Sequence, residues 1–172
     1  MKKFHQFGWL FILMIPGIVH AEIIRVPDDL QTIQAAIDAS TDGDTILLSD
    51  GTYTGEENKN LDTKGKKITI QSANGPDSCI IDCENQGRGF MINNAETMDT
   101  VINGLTIHRG NTKGQGMALE DGAGIFIDSA SPRITNCVFS ENTADWGGAI
   151  VCQKSAGMIT QCRFERNTAR SG

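Results

Sequence analysis

The pattern of apolar positions repeats near the C-terminal end of the chain. Residues 122–144 read GAGIFIDSASPRITNCVFSENTA and residues 147–169 read GGAIVCQKSAGMITQCRFERNTA. Ile134, Cys137, Phe139, Asn142, Thr143 and Ala144 recur as Ile159, Cys162, Phe164, Asn167, Thr168 and Ala169, always 25 residues on. A fixed period of this size marks a solenoid, in which a unit buries its apolar side only by stacking on its neighbours. Within a unit, Ile125 and Ile127 alternate, as do Cys137 and Phe139, which is the period of a strand. Ile134 is out of phase with the latter pair, so the chain must turn between them, near Asn136. Asn accepts a left-handed bend more readily than most residues. The same slot holds Gln161 in the next unit and Gly104 in VINGLTI, where Ile102, Leu105 and Ile107 repeat the phasing. Three short strands per coil and one tight corner describe an all-β parallel β-helix. The leucine-rich alternative lacks its L-x-x-L-x-L-x-x-N signature.

Upstream the pattern changes. In LQTIQAAIDAS, Leu30, Ile33 and Ile37 fall on one helical face, with Asp28 and Gln31 spaced as a capping box. A lone amphipathic helix ahead of the coils covers the first one, whose edge and interior would otherwise be exposed. Residues 22–45 thus form an N-terminal cap, and residues 46–172 the coils. Asp42-Gly43-Asp44 reads as a turn, and TILLSDGTYTG as a strand. GFMI at 89–92 is an earlier counterpart of GIFI at 124–127, and residues 93–100 and 110–121 are loops. Loops at β-helix corners build binding clefts, so 110–121, around Met117 and ending at Glu120-Asp121, is the expected groove wall.

Residues 1–21 have the layout of a secretory signal peptide. Lys2 and Lys3 precede a mostly apolar stretch from Phe7 to Val19, and Val19-His20-Ala21 sets cleavage between Ala21 and Glu22. That stretch is short of the ~20 residues needed to span a bilayer, and no later segment could cross as a helix. The expected location is secreted or cell-surface. Losing two lysines and no acids takes the formal net charge from −6 to −8. Such a balance argues against nucleic acid as a partner, and against acidic polysaccharide unless a cation or a local basic patch intervenes. The period places Arg170, Ser171 and Gly172 at the start of another coil, so the chain reads as a fragment whose further coils lie in a longer protein.

Chemistry-bearing residues are scattered. Asn142 and Asn167 read as a corner ladder bonding backbone in successive coils, and Phe139 and Phe164 as a core stack. Trp146 sits in a corner loop, where stacking on a sugar and shielding the corner are equally open. With Arg109 and Asp121 it forms the candidate ligand contact. Five cysteines cannot all pair internally. Cys137 and Cys162 read as free stacked thiols, and Cys79 with Cys83 as the disulfide candidate. No metal ligand set is evident: the spaced ligands of a calcium loop are absent around Asp42 and Asp44, and no cofactor is expected. No G-x-S-x-G motif occurs, and His108 has no evident sequence partner.

These residues carry a family resemblance. VPDDLQTIQAAID followed by GDTILLSDGTYTG resembles the opening of extracellular proteins of the pectin-lyase-like, right-handed parallel β-helix superfamily. Phe139-Ser140-Glu141-Asn142 and Phe164-Glu165-Arg166-Asn167 resemble the F-x-x-N motif of the chlamydial polymorphic outer membrane protein repeat. Gly147-Gly148-Ala149-Ile150 resembles its G-G-A-I motif, from which Gly122-Ala123-Gly124-Ile125 departs by exchanging two residues. The resemblance implies an exported binding or adhesion module whose partners are surface glycans or proteins of a host or neighbouring cell. The alternative it implies is a polysaccharide lyase, for which Asp82, Arg88, Arg109, Asp121, Asp128 and Arg133 have suitable side chains but no motif that fixes their geometry.

Overall fold

A computed structural model describes residues 21–114 and 121–171. The leader read over residues 1–21, apart from Ala21, and Met117 and Glu120 of the expected groove wall lie outside the described residues. The chain opens with β1 (Ile23–Val26), α1 (Ile33–Ala39), β2 (Thr45–Leu48), β3 (Gly51–Tyr53), a short 3-10 turn and β4 (Leu61–Asp62). It continues through β5 (Thr69–Ser72), β6 (Cys79–Asp82), β7 (Phe90–Ile92), β8 (Val101–Asn103) and β9 (Thr106–His108). Two full repeats follow: β10 (Ile125–Asp128), β11 (Arg133–Thr135), β12 (Val138–Ser140) and β13 (Thr143–Trp146), then β14 (Ile150–Gln153), β15 (Met158–Thr160), β16 (Arg163–Glu165) and β17 (Thr168–Ser171).

The result is a parallel β-solenoid of about six turns. Its sheets run β1-β2-β5-β8-β11-β15, β14-β10-β7-β4, β16-β12-β9-β6-β3 and β13-β17. The register stacks like on like. Ile24, Ile46, Ile70, Ile102, Ile134 and Ile159 form one inward column. Tyr53, Ile81, Ile107, Phe139 and Phe164 form a second, and Leu61, Phe90, Ile125 and Ile150 a third. Ile46 through Ile134 are fully buried, whereas Ile159 is 39% exposed. The inner coils are dry because another coil lies on either side of each.

The corner expected near Asn136 is present. Asn136, Gln161 and Gly104 all have left-handed backbones, at φ of 52°, 55° and 70°. The repeats hold more corners than the apolar phasing revealed. Ser129 and Lys154, Glu141 and Arg166, and Gly122 and Gly147 are also left-handed pairs, each 25 residues apart. The last two coils therefore carry four strands, not three. The fourth, β13 or β17, escapes a hydrophobic reading because mainly Ala144 or Ala169 faces inward there. The G-G-A-I motif has a steric cause: a Cβ on Gly147 would lie 2.4 Å from Val151 Cγ2, and one on Gly148 2.3 Å from the Thr168 carbonyl oxygen.

The cap helix forms, but later than its capping-box pattern suggests. Thr32 is the N-cap, its Oγ1 accepting from the Ala35 amide at 3.3 Å, and Asn58 Oδ1 accepts from the Ile33 amide at 2.9 Å. Asp28 instead lies in a turn closed by the Asp29 and Leu30 amides on the Arg25 carbonyl. Ile33, Ala36 and Ile37 face the core. Lys66 Nζ donates to the carbonyls of Ile37, Asp38 and Ser40, which places a cation at the negative end of the helix. The stretch TILLSDGTYTG also divides, with a corner at Ser49-Asp50 between β2 and β3. Tyr53 Oη lies 2.9 Å from the carbonyls of both Val26 and Ser49 across that corner.

Candidate binding face

Outward residues of the six-stranded sheet form two columns. One holds Thr45, Thr69, Val101, Arg133 and Met158, and the other Leu47, Gln71, Asn103, Thr135 and Thr160. Thr69, Val101 and Arg133 of the first column line a groove of about 530 Å³ together with Asp42, Gly43, Lys67, Met98 and Asp99, which belong to the segments just ahead of β2, β5 and β8.

A buried carboxylate anchors each of two lining segments. Asp44, only 4% exposed, accepts from the amides of Glu22 and Thr41 and from the Thr41 hydroxyl. The bond from the Glu22 amide, then that from Thr41, holds its pKa below the ordinary value despite burial. The turn it supports locks to the next coil through Lys67 N to Asp42 Oδ1 and Gly43 N to Lys67 O. Glu96, 2% exposed, anchors the loop bearing Met98 and Asp99. It accepts from Thr63 Oγ1, the Gly65 amide and the Asn94 amide. Buried Thr100 closes that loop, donating its hydroxyl to the Lys66 carbonyl at 2.8 Å. The groove is therefore preformed.

Its chemistry is mixed. Lys67 and Arg133 supply cationic donors and make no salt bridge among the described residues. Asp42 and Asp99 supply acceptors, Thr69 a hydroxyl, and Val101 and Met98 apolar surface. Donors, acceptors and a small apolar floor suit a hydroxyl-rich ligand. Among the described residues, no group of three or more His, Cys, Asp or Glu side chains is placed to hold a metal ion.

The sequence-derived candidates lie elsewhere, apart from Arg133. Arg109 grips Asp82 with two nitrogens, Nε at 2.9 Å and Nη2 on the other carboxylate oxygen. This pairing raises the pKa of Arg109 above its ordinary value. Burial pushes the Asp82 carboxyl up, but the bonds from Arg109 and the Glu84 amide outweigh it, and the net shift is downward. His108, with no sequence partner, has one in space: Nδ1 lies 2.9 Å from Ser140 Oγ on the next coil. Neighbouring charges on this side are paired too, as Lys59 with Glu84 and Arg166 with Glu141.

Trp146, 56% exposed, and Asp121 are brought together by backbone bridging, apart from the Arg109–Asp82 pair. Arg88 is buried with its guanidinium 5.1 Å above the Phe126 ring. Asp128 Oδ1 meets the Ser129 hydroxyl.

The repeat-motif residues build the wall. Phe139 and Phe164 stack at 5.3 Å with planes 11° apart. Asn142 is fully buried, accepting from the Gly110 amide and donating to the Ile107 carbonyl. Asn167 repeats the donation to the Phe139 carbonyl and accepts from the Asn142 amide and side chain. The expected Cys79–Cys83 disulfide is absent, both being free, buried thiols. Cys79 opens the extended strand β6 and Cys83 follows its end, which separates their Cα atoms by ~13 Å, too far to bridge.

The groove was missed because Asp42, Lys67, Asp99 and Arg133 share no motif or period. The usable signal was the outward phase of Thr69, Val101 and Arg133 opposite the isoleucine column.

Comparison with known proteins agrees with this architecture. Residues 136–153 match the Chlamydia polymorphic membrane protein (Chlamydia_PMP) repeat. Pectate lyase PEL9 of Emericella nidulans is 34% identical over 89 residues, which cover 44% of this chain and 22% of that relative. The chain thus spans about a fifth of the length of the curated relative it matches. No solved structure matches. Fold and matches together support a pectin-lyase-like β-helix with PMP-like repeats.

Proposed function

We propose that the protein is an exported, surface-acting binding module that takes glycan chains into the groove on its six-stranded sheet. The observation that carries this reading is the groove itself. Segments that line it are pinned by buried carboxylates, and it presents Lys67 and Arg133 beside Asp42 and Asp99, with apolar surface from Val101 and Met98. Paired donors and acceptors can address vicinal hydroxyls, and Val101 with Met98 can face a sugar's C–H surface. The similarity to a polymorphic membrane protein repeat supports a surface location and adhesion as the setting.

The test is a glycan array followed by titration calorimetry on the hits. Arg133→Ala and Asp99→Ala should each weaken binding about tenfold, since a hydrogen bond to a charged group contributes roughly 1.5–3 kcal/mol. Trp146→Ala should leave affinity unchanged. No glycan binding, capture of a protein partner alone, or affinity indifferent to both groove substitutions would count against the groove.

A second reading, polysaccharide lyase, is favoured by the partial similarity to a pectate lyase. Proton abstraction by arginine needs a neutral guanidine, and the Asp82 carboxylate holds Arg109 in its charged form. Arg133 is the freer candidate. Ultraviolet absorbance from unsaturated products, on pectate or alginate with and without calcium, would establish this reading if lost on Arg133→Ala or Arg109→Ala.

A further inference from the structure

Cys137 and Cys162 occupy the same position on consecutive coils. Thr135 pairs with Thr160 before them and Val138 with Arg163 after them, and the Arg163 amide donates to the Cys137 carbonyl at 2.9 Å. Parallel strands stand about 4.8 Å apart, which puts the two Cα atoms within the span that a disulfide bridges. Each thiol lies 3.2 Å from the carbonyl oxygen two residues before it, Thr135 or Thr160, so the side chains run side by side. Closing the bridge takes a rotation about the Cα–Cβ bond of Cys162 and a small approach of the two coils, since the Cβ atoms of a disulfide lie about 3.5–4.5 Å apart. Cys162 is half-buried, whereas Cys137 is 1% exposed.

We propose that these two cysteines form a reversible disulfide that ties the last described coil to the coil beneath it, in exchange with a low-molecular-weight disulfide such as oxidised glutathione. The Cys162 thiolate attacks one sulfur of the oxidant and expels a glutathione thiolate, leaving a mixed disulfide. The Cys137 thiol then gives up its proton to solvent, and its sulfur attacks Cys162 Sγ, expelling the second glutathione thiolate. Two protein thiols are oxidised, one disulfide is reduced, and two glutathione thiols result.

The thiol chemistry fits this order. The hydrogen bond from the Cys137 thiol lowers the Cys162 pKa, and the same bond, with burial, pushes Cys137 up. Cys79 and Cys83 are raised to about 12 by burial, which makes them poor competitors. Cys152 is exposed but belongs to β14, in another sheet.

The reduced protein, incubated with oxidised glutathione near pH 8 and digested without reductant, should yield a peptide pair joining Cys137 to Cys162. Two of the five thiols should vanish, and dithiothreitol should restore them. The urea midpoint should rise on oxidation. Cys137→Ala should halt at a single glutathione adduct on Cys162, and Cys162→Ser should keep Cys137 reduced. Retention of all five thiols, an adduct confined to Cys152, or dimers linked through Cys152 in place of the internal bridge would overturn the proposal.

Discussion

Asn142 commits its side-chain amide to the wall of the solenoid, where water cannot replace a lost partner. Asn142→Ala would strand the Gly110 amide, and a buried polar group left unpaired costs about 1–3 kcal/mol. A urea melt of that variant should show a loss near the top of this range. In the chain of residues 22–172, Asn167→Ala, at a half-buried position, should lose less. Asp44 makes a separate prediction about acid. Its folded pKa lies below the ordinary 3.8, chiefly through the Glu22 and Thr41 amides. The stability it gives is therefore complete above the unfolded value and is lost as pH falls through the lower folded one. Asp44→Asn should cost about 1–3 kcal/mol at neutral pH, and its stability should fall less steeply than that of the parent below about pH 4. Chemical melts from pH 2.5 to 7 would check the sign. At this scale the sequence was readable where one residue type recurs at one corner, as Asn142 and Asn167 do. The anchoring carboxylates were not, because Glu96 meets Thr63 and Gly65 only after the chain has coiled.

The cap helix depends on groups outside itself. With seven residues it is too short to persist alone, and its ends are completed by Asn58 and Lys66 from later segments. Lys66→Met removes the cation from three C-terminal carbonyls and should cost about 0.5–2 kcal/mol. Hydrogen exchange should quicken at residues 35–40 while β8, β9 and β11 keep their protection. Uniform acceleration along the chain would mean that the helix is not a separate cap but part of one cooperative unit. The apolar face of this helix was legible from its spacing. Its start was not, because the turn closed on the Arg25 carbonyl claims the residues that look like a cap. The fourth strand of each repeat was hidden for a related reason: alanine carries little hydrophobic signal, and the corners that open it are Glu141 and Arg166, not glycines.

For the whole molecule, stability comes from coils that cover one another, and function is assigned to the columns they leave outside. A 25-residue period announces the first property, because every coil must solve the same burial problem. It is silent on the second, because outward positions are free to vary and the groove draws on residues from 42 to 133. The Phe139–Phe164 stack tests the coil account most directly. Phe139 is fully buried and Phe164 is 52% exposed, although their rings lie in register 5.3 Å apart. Phe139→Ala should cost about 3–5 kcal/mol, the usual loss for a buried phenylalanine. In the chain of residues 22–172, Phe164→Ala should cost about 1–2 kcal/mol, in keeping with partial burial. Urea melts of the two variants beside the parent would give the comparison. A loss at Phe139 at least twice that at Phe164 is the expected result, whereas equal losses would contradict an account in which each coil is stabilised by the coils on its two sides.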